Sequence, residues 1–210
     1  MENKVVSAIL PAYNEESNIA SAIGDLIEQT YKLDSIIIVD DLSHDNTSKI
    51  VKILANYYSD YLPITLLKTN SKNLRAGAIN VGLRYIKKHI PNCEYVLIAD
   101  ADSRFDKHLV REGIKSLEKD VQSGGVCSTA GVLNPKFDKE DGFFYNIEKW
   151  ILWRFQRLEY AGFDSKRTST WNNVLILHGL CSMFRVKALQ EVGGYKSDHL
   201  LEDYELTLKL

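Results

Sequence analysis

Along the first hundred residues, short β-branched runs alternate with longer amphipathic segments. Residues 5–10, 35–39, 63–68 and 95–99 read as strands. Residues 15–29, 46–58 and 76–88 read as helices, with Ser43 and Asp45 as capping candidates for the second. The run Ser35-Ile36-Ile37-Ile38-Val39 is almost continuously apolar, as expected of a strand buried on both faces. This β-α-β-α-β-α-β rhythm predicts an α/β fold, with a mostly parallel central sheet and helices on both faces.

The second half is less regular. Residues 125–132 read as a strand, 138–142 as a polar break and 143–160 as a helix crowded with aromatics, among them Trp150, Trp153 and Phe155. Core packing is the expected role of that helix. Arg154 and Arg157 beside the aromatics make a membrane-surface role the alternative. A strand at 175–186, a short helix at 188–192, a Gly193-Gly194 turn and a helix from Glu202 onward complete the pattern.

In parallel α/β sheets, ligands bind beyond the carboxyl ends of the strands. Four polar clusters fall there: Tyr13-Asn14-Glu15, Asp40-Asp41, residues 70–75 and Asp100-Ala101-Asp102. Asp100 and Asp102 stand two apart, a spacing that points both carboxylates the same way. Together they suit one hard divalent cation, Mg²⁺ or Mn²⁺, whose shell phosphate oxygens and water complete. The plainer reading is a polar turn in which Asp100 caps the next segment. Asp41 can accept a hydrogen bond from a nucleobase N–H, and Tyr13 offers a ring face for stacking. Glu15 suits ribose hydroxyls, or merely a helix start. Arg75, at a helix N-terminus, suits a diphosphate, with Lys72 as a second candidate. Glu202 and Asp203 are first-turn acids favoured by the helix dipole, or a carboxylate base for a hydroxyl. His178 and Gly179 sit in a strand-like stretch, where a lone histidine is more often structural.

Composition narrows the partners. The formal net charge of −2, with basic residues spread along the 210-residue chain, argues against a nucleic-acid binder. Three scattered cysteines without a C-x-x-C pair argue against a zinc cluster or a disulfide framework and favour a reduced, cytoplasmic setting. No apolar run approaches the length of about 18 residues that spans a bilayer.

The segments Ile9-Leu10-Pro11-Ala12-Tyr13-Asn14-Glu15-Glu16, Val39-Asp40-Asp41-Leu42-Ser43-His44-Asp45-Asn46-Thr47, Arg75-Ala76-Gly77-Ala78-Ile79-Asn80, Ala99-Asp100-Ala101-Asp102-Ser103 and Gly193-Gly194-Tyr195 leading to Leu201-Glu202-Asp203 occur in one order along nearly the whole chain. In that combination the chain resembles the family 2 inverting glycosyltransferases of GT-A fold. The resemblance implies a nucleotide-sugar-binding half (residues 1–104) and an acceptor and catalytic-base half (residues 105–210) of one domain. It implies that Pro11, Tyr13, Glu15 and Asp41 surround the uridine of a UDP-sugar, and that Arg75 lies near the diphosphate. It makes Asp100, Ala101 and Asp102 the metal- and nucleotide-binding motif and Asp203 the base. His178, Gly179 and Glu202 fall on the acceptor side, in a stretch similar to synthases of cellulose, chitin, hyaluronan or poly-N-acetylglucosamine.

Two departures qualify the resemblance. Leu201 stands where the base motif often has Thr, and no Gln-x-x-Arg-Trp motif or apolar span occurs before Leu210. The expectation is therefore a C-terminally incomplete domain. Its full-length form would associate with the cytoplasmic face of a membrane through a region beyond residue 210. The expected activity is inverting transfer from a UDP-sugar to a carbohydrate or lipid-linked acceptor. The rivals are a non-catalytic UDP-sugar-binding domain and a nucleotidyltransferase. The latter calls for a Gly-rich loop where Pro11-Ala12-Tyr13-Asn14 stands.

Overall fold

A computed structural model describes residues 4–135, 142–167, 177–196 and 201–210. Most of the polar stretch at 138–142, and Leu175 and Ile176 of the expected strand, lie outside them. The chain forms two compact units, one of residues 1–128 and 177–210 and the other of residues 129–176.

The first unit is built on a six-stranded sheet. Its strands are β1 (Val6–Ala12), β2 (Ser35–Asp40), β3 (Ile64–Lys68), β4 (Tyr95–Ala99), β5 (Gly125–Cys127) and β6 (Cys181–Arg185), in the order β3-β2-β1-β4-β6-β5. β1 pairs in parallel with β2 and β4, and β2 with β3. β6 runs antiparallel to both β4 and β5. The expected mostly parallel α/β sheet is thus the observed one, with the antiparallel pairs confined to the side built from the second half of the chain.

Helices α1 (Ile19–Ile27), α2 (Thr47–Tyr57), α3 (Leu74–His89), α4 (Leu109–Lys119), α6 (Val186–Glu191) and α7 (Glu202–Lys209) accompany this sheet. Alternating residues of the central strands feed two separate apolar clusters. Ala8, Leu10, Ile36 and Ile38 pack with α1 and α4 residues such as Ile23 and Ile114. Ile9, Ile37, Val39 and Ile98 pack with α3 residues such as Ile79 and Ile86. Burial on both faces explains why residues 35–39 show no polar alternation.

Several expectations change. α4 was not among the predicted elements, although Val110, Ile114 and Leu117 stand at helical spacing and are buried. α1 begins at Ile19 rather than at residue 15, because Asn14 takes a left-handed φ of 56° and residues 15–18 form a turn. β5 ends at Cys127, short of the strand expected to 132. Residues 177–180 form a loop ahead of β6 rather than strand.

The second unit holds α5 (Phe143–Arg167). Its expected role as core does not hold. Phe144, Ile147, Ile151, Phe155 and Leu158, spaced by three and four residues, are all exposed. Among its described residues the half-buried positions are instead Asn146, Lys149, Trp153 and Tyr160. Arg154 and Arg157 lie over the Trp150 and Trp153 rings, respectively. Among the described residues, no helix is long and apolar enough to cross a membrane.

Candidate functional site

The loops that leave β1 and β2 interlock. Asn14 N–H donates to Ser43 Oγ (2.9 Å), Glu15 N–H to Thr47 Oγ1 (2.7 Å) and Glu16 N–H to Asp45 Oδ2 (3.0 Å). In return, His44 N–H donates to Asn14 Oδ1 (2.8 Å) and Asn46 N–H to Glu16 Oε2 (2.9 Å). Ser43 therefore serves the neighbouring loop, not the helix cap expected of it. Asp45 does both, since its Oδ1 accepts from Thr47 N–H at the start of α2.

Asp40 and Asp41 divide their tasks. Asp40 is fully buried and accepts from Ser43 N–H and the Ser48 hydroxyl, which ties the loop to β2. Asp41 is only 4% exposed but borders the pocket. Its Oδ1 accepts from Thr69 Oγ1 (2.8 Å) and Asn73 N–H (2.9 Å), and Oδ2 receives the same amide at 3.2 Å. Oδ2 therefore retains acceptor capacity for a ligand donor.

The pocket lies beyond the carboxyl ends of β1, β2, β3 and β4. Pro11, Ala12, Tyr13, Glu15, Asp41 and Lys72 line one part of it; Leu74, Arg75, Ala78 and the Asp100-Ala101-Asp102 stretch line the rest. Every residue expected at the nucleotide is thus brought together. Three non-glycine residues with positive φ occur at its strand exits: Asn14, Leu42 (66°) and Leu74 (55°). A leucine in that region costs about 1–2 kcal/mol, and such strain gathers at ligand sites. Lys72 places its ammonium 2.8 Å from the centroid of the Tyr13 ring. The stacking face proposed for a base is therefore covered by a side chain that sits in the same pocket. Leu74 and Ala78 were not anticipated as lining residues, and nothing in their identity signals that place.

Arg75 is the centre of the charged side of the site. Its Nε donates to Asp100 Oδ1 (2.7 Å), one terminal nitrogen donates to Asp203 Oδ1 (3.3 Å) and lies 3.7 Å from Glu202, and the other donates to the Gly179 carbonyl. Glu202, Asp203, His178 and Gly179 are not among the residues that line this pocket; Arg75 links Glu202, Asp203 and Gly179 to it. Burial opposes the charge on this guanidinium, but Asp100 and Asp203 outweigh burial and hold it cationic. Burial raises Asp100 and Asp203 above the ordinary carboxylate value, with Arg75 pulling against the shift in both. The Tyr195 phenol is pushed up as well, by burial and by the nearby Asp203 carboxylate.

His178 is 7% exposed. Its Nε2 lies 2.7 Å from the Ser128 carbonyl, which can only accept, so Nε2 carries the proton and Nδ1 faces the Cys181 N–H at 3.5 Å. The histidine braces the loop ahead of β6. That loop carries Gly179, where a Cβ would overlap Asp203 Oδ2 and stand 2.9 Å from Arg75 Cζ.

Asp102 is exposed and borders the same pocket as Asp100. The two supply hard oxygen donors to a shared space, which fits Mg²⁺ or Mn²⁺. Among the described residues no cluster of three or more ligating side chains forms, so a cation there needs further oxygens from a ligand and water.

Comparison with known proteins bears on the family and the fold. The family model described as "Glycosyl transferase family 2" matches residues 7–193. The poly-beta-1,6-N-acetyl-D-glucosamine synthase of Staphylococcus aureus is 26% identical over 209 residues, which are 98% of this chain and 45% of the synthase. The chain therefore spans less than half the length of that relative. Among solved structures, the mannosyltransferase PcManGT from Pyrobaculum calidifontis, in complex with GDP-Man and Mn²⁺, superposes with a TM-score of 0.72 at 25% identity. That match covers 96% of this chain and 50% of the mannosyltransferase. Staphylococcus aureus TarS 1-349 in complex with UDP-GlcNAc gives 0.65 at 19% identity over 98% of this chain and 52% of TarS, a likeness of fold. These neighbours share the GT-A fold expected from the sequence.

Proposed function

The chain belongs to glycosyl transferase family 2, and on that premise we propose that it transfers a sugar from a UDP-sugar to an acceptor hydroxyl with inversion. The observation that carries the proposal is the joining of two groups by Arg75. One is the nucleotide pocket of Tyr13, Asp41, Asp100 and Asp102; the other is a separate carboxylate, Asp203.

In this reading the base stacks on Tyr13 once Lys72 moves aside, and Asp41 Oδ2 accepts its N–H. Pro11 and Glu15 border the nucleoside. Asp203 removes the proton of the acceptor hydroxyl. The hydroxyl oxygen attacks the anomeric carbon from the face opposite the nucleotide. The bond to the diphosphate oxygen breaks, its electron pair leaves with the diphosphate, and the configuration inverts. Arg75 lies where that growing negative charge is best met. Asp100 and Asp102 would hold Mg²⁺ or Mn²⁺, which supplies further charge neutralisation at the diphosphate when bound. The raised proton affinity of Asp203 suits a base that works near neutral pH.

The synthase relative supports an N-acetylhexosamine donor and a carbohydrate acceptor. A lipid-linked acceptor, and association with the cytoplasmic face of a membrane through a region beyond residue 210, belong to the same proposal. The test combines calorimetry and product analysis. UDP and GDP are titrated with and without Mn²⁺, and transfer is assayed with a panel of UDP-sugars and GDP-mannose. Metal-dependent UDP binding and a product of inverted anomeric configuration are expected. UDP binding without turnover on any acceptor would favour the non-catalytic reading. Preference for GDP would overturn the donor assignment.

A further inference from the structure

Arg75 makes more contacts than a diphosphate ligand requires. It joins four segments that are distant in sequence: the start of α3, the end of β4, the loop ahead of β6 and the start of α7. We propose that Arg75 is the positioning residue for Asp203, holding the base against the metal-binding motif through one guanidinium. The proposal rests on the reading of Asp203 as the base.

Three features point this way. First, α7 is short, spanning only Glu202–Lys209, and Asp203 lies in its first turn. Among its described residues, only Leu206 is buried. Apolar packing therefore anchors this helix through Leu206 and, at its C-cap, Leu210, both away from the first turn, which needs another hold. Second, the planar guanidinium reaches Asp100, Asp203 and the Gly179 carbonyl with separate N–H groups. A lysine ammonium is a point charge and cannot span three partners in a fixed fork. Third, the backbone makes room for this arrangement. Gly179 leaves its Cβ position free, and Asp203 Oδ2 and the Arg75 head occupy that space. The absent side chain at 179 is thus part of the same device. Thr207 adds a brace from within the helix: its Oγ1 donates to the Asp203 carbonyl (2.7 Å) and accepts from Leu177 N–H (2.9 Å).

The consequence is a coupling between the two sides of the site. Asp100 faces the pocket and Asp203 stands behind it, so whatever draws Arg75 forward changes the hold on the base. The hold of Arg75 on Asp203 is then separable from donor affinity.

Two variants test this, and they disturb the link differently. Arg75→Lys keeps the charge and loses the fork. Gly179→Ala keeps every charged group and fills the space they use. Each is compared with wild type by calorimetry with UDP and Mn²⁺, by steady-state transfer and by hydrogen exchange of α7 and residues 177–180. In Gly179→Ala, UDP affinity is expected within about threefold of wild type, kcat at least tenfold lower, and α7 exchange faster. In Arg75→Lys, which also alters the donor pocket, kcat is expected to fall at least tenfold more than UDP affinity, again with faster α7 exchange. The exchange readout holds even for a chain without turnover, so it separates failure of this link from failure of the transferase reading. Parallel losses of UDP affinity and kcat, with unchanged α7 exchange, would show that Arg75 serves the diphosphate alone. Unchanged kcat and exchange in Gly179→Ala would equally overturn the proposal.

Discussion

Replacing Asp41 by Asn alters one atom and separates two roles of the carboxylate. In the structure Oδ1 takes the Thr69 hydroxyl and the Asn73 N–H, which hold the loop between β3 and α3. An asparagine keeps an oxygen for those donors but loses the charge. Hydrogen bonds to a charged group contribute about 1.5–3 kcal/mol and neutral ones about 0.5–1.5, so two weakened bonds cost about 2 kcal/mol. For a domain of this size, that lowers Tm by roughly 4–8 °C. Because Asn73 N–H must be accepted, the new amide nitrogen takes the Oδ2 position. A nucleobase N–H then meets a donor where it had an acceptor. A loss of about 2–4 kcal/mol is expected, equivalent to roughly 30- to 1000-fold weaker UDP binding. Thermal melts and calorimetry with UDP and Mn²⁺ measure the two effects on one preparation. UDP affinity within threefold of wild type, with the expected fall in Tm, would refute the assignment of Asp41 to the base. An unchanged Tm would refute the accounting for the loop.

Other substitutions probe the remaining parts. Asp203→Asn should lower kcat by about 10²–10⁴ while leaving UDP affinity within a few-fold. In wild type, the acid limb of the activity profile should lie above the ordinary carboxylate value of 3.8, because burial raises Asp203; a limb at or below that value would count against Asp203. Tyr13→Ala removes the stacking face and should weaken UDP binding by about 1–3 kcal/mol, read by the same calorimetry. Gly82→Ala places a Cβ 2.8 Å from Cγ2 of the fully buried Ile9 on β1, and overpacking of about 1–3 kcal/mol should appear as a lower Tm with UDP affinity unchanged. Asp25 is pushed up by burial, but the Arg104 guanidinium and Phe105 N–H outweigh that and lower its proton affinity. Its contribution to stability is therefore present above 3.8 and lost as pH falls through the lower folded value. The Tm gap between wild type and Asp25→Asn should close over that range; a gap independent of pH would exclude the linkage.

Much of the pocket was legible because strand periodicity and the succession of strands along the chain are local properties. The apolar run at residues 35–39 announced a strand buried on both faces, and the polar residues after each strand therefore had to emerge at one edge. Tyr13, Asp41, Asp100 and Asp102 could be assigned to a common pocket from that rule alone. The second half was less legible. α5 carries an apolar pattern that sequence alone reads as core, yet whether a stripe is covered depends on neighbours, and its stripe is exposed. Residues 177–180 look as strand-like as Cys181–Arg185, but only the latter find backbone partners on β4.

The amino-acid sequence by itself determined the α/β class, the polar exits of four strands and the chemistry available at each. Tertiary structure decided how those groups share charge. No spacing rule relates Arg75 to Asp203, 128 positions apart. Nor does any local preference show why residue 179 has to lack a side chain. Both depend on the antiparallel pairing of β6 with β4, which brings Leu180 beside Asp100 through a backbone hydrogen bond, and on the bonds of Arg75 to the neighbouring Gly179 carbonyl and to Asp203. A guanidinium then lies among three carboxylates because burial makes an unpaired charge costly and the fold supplies its partners.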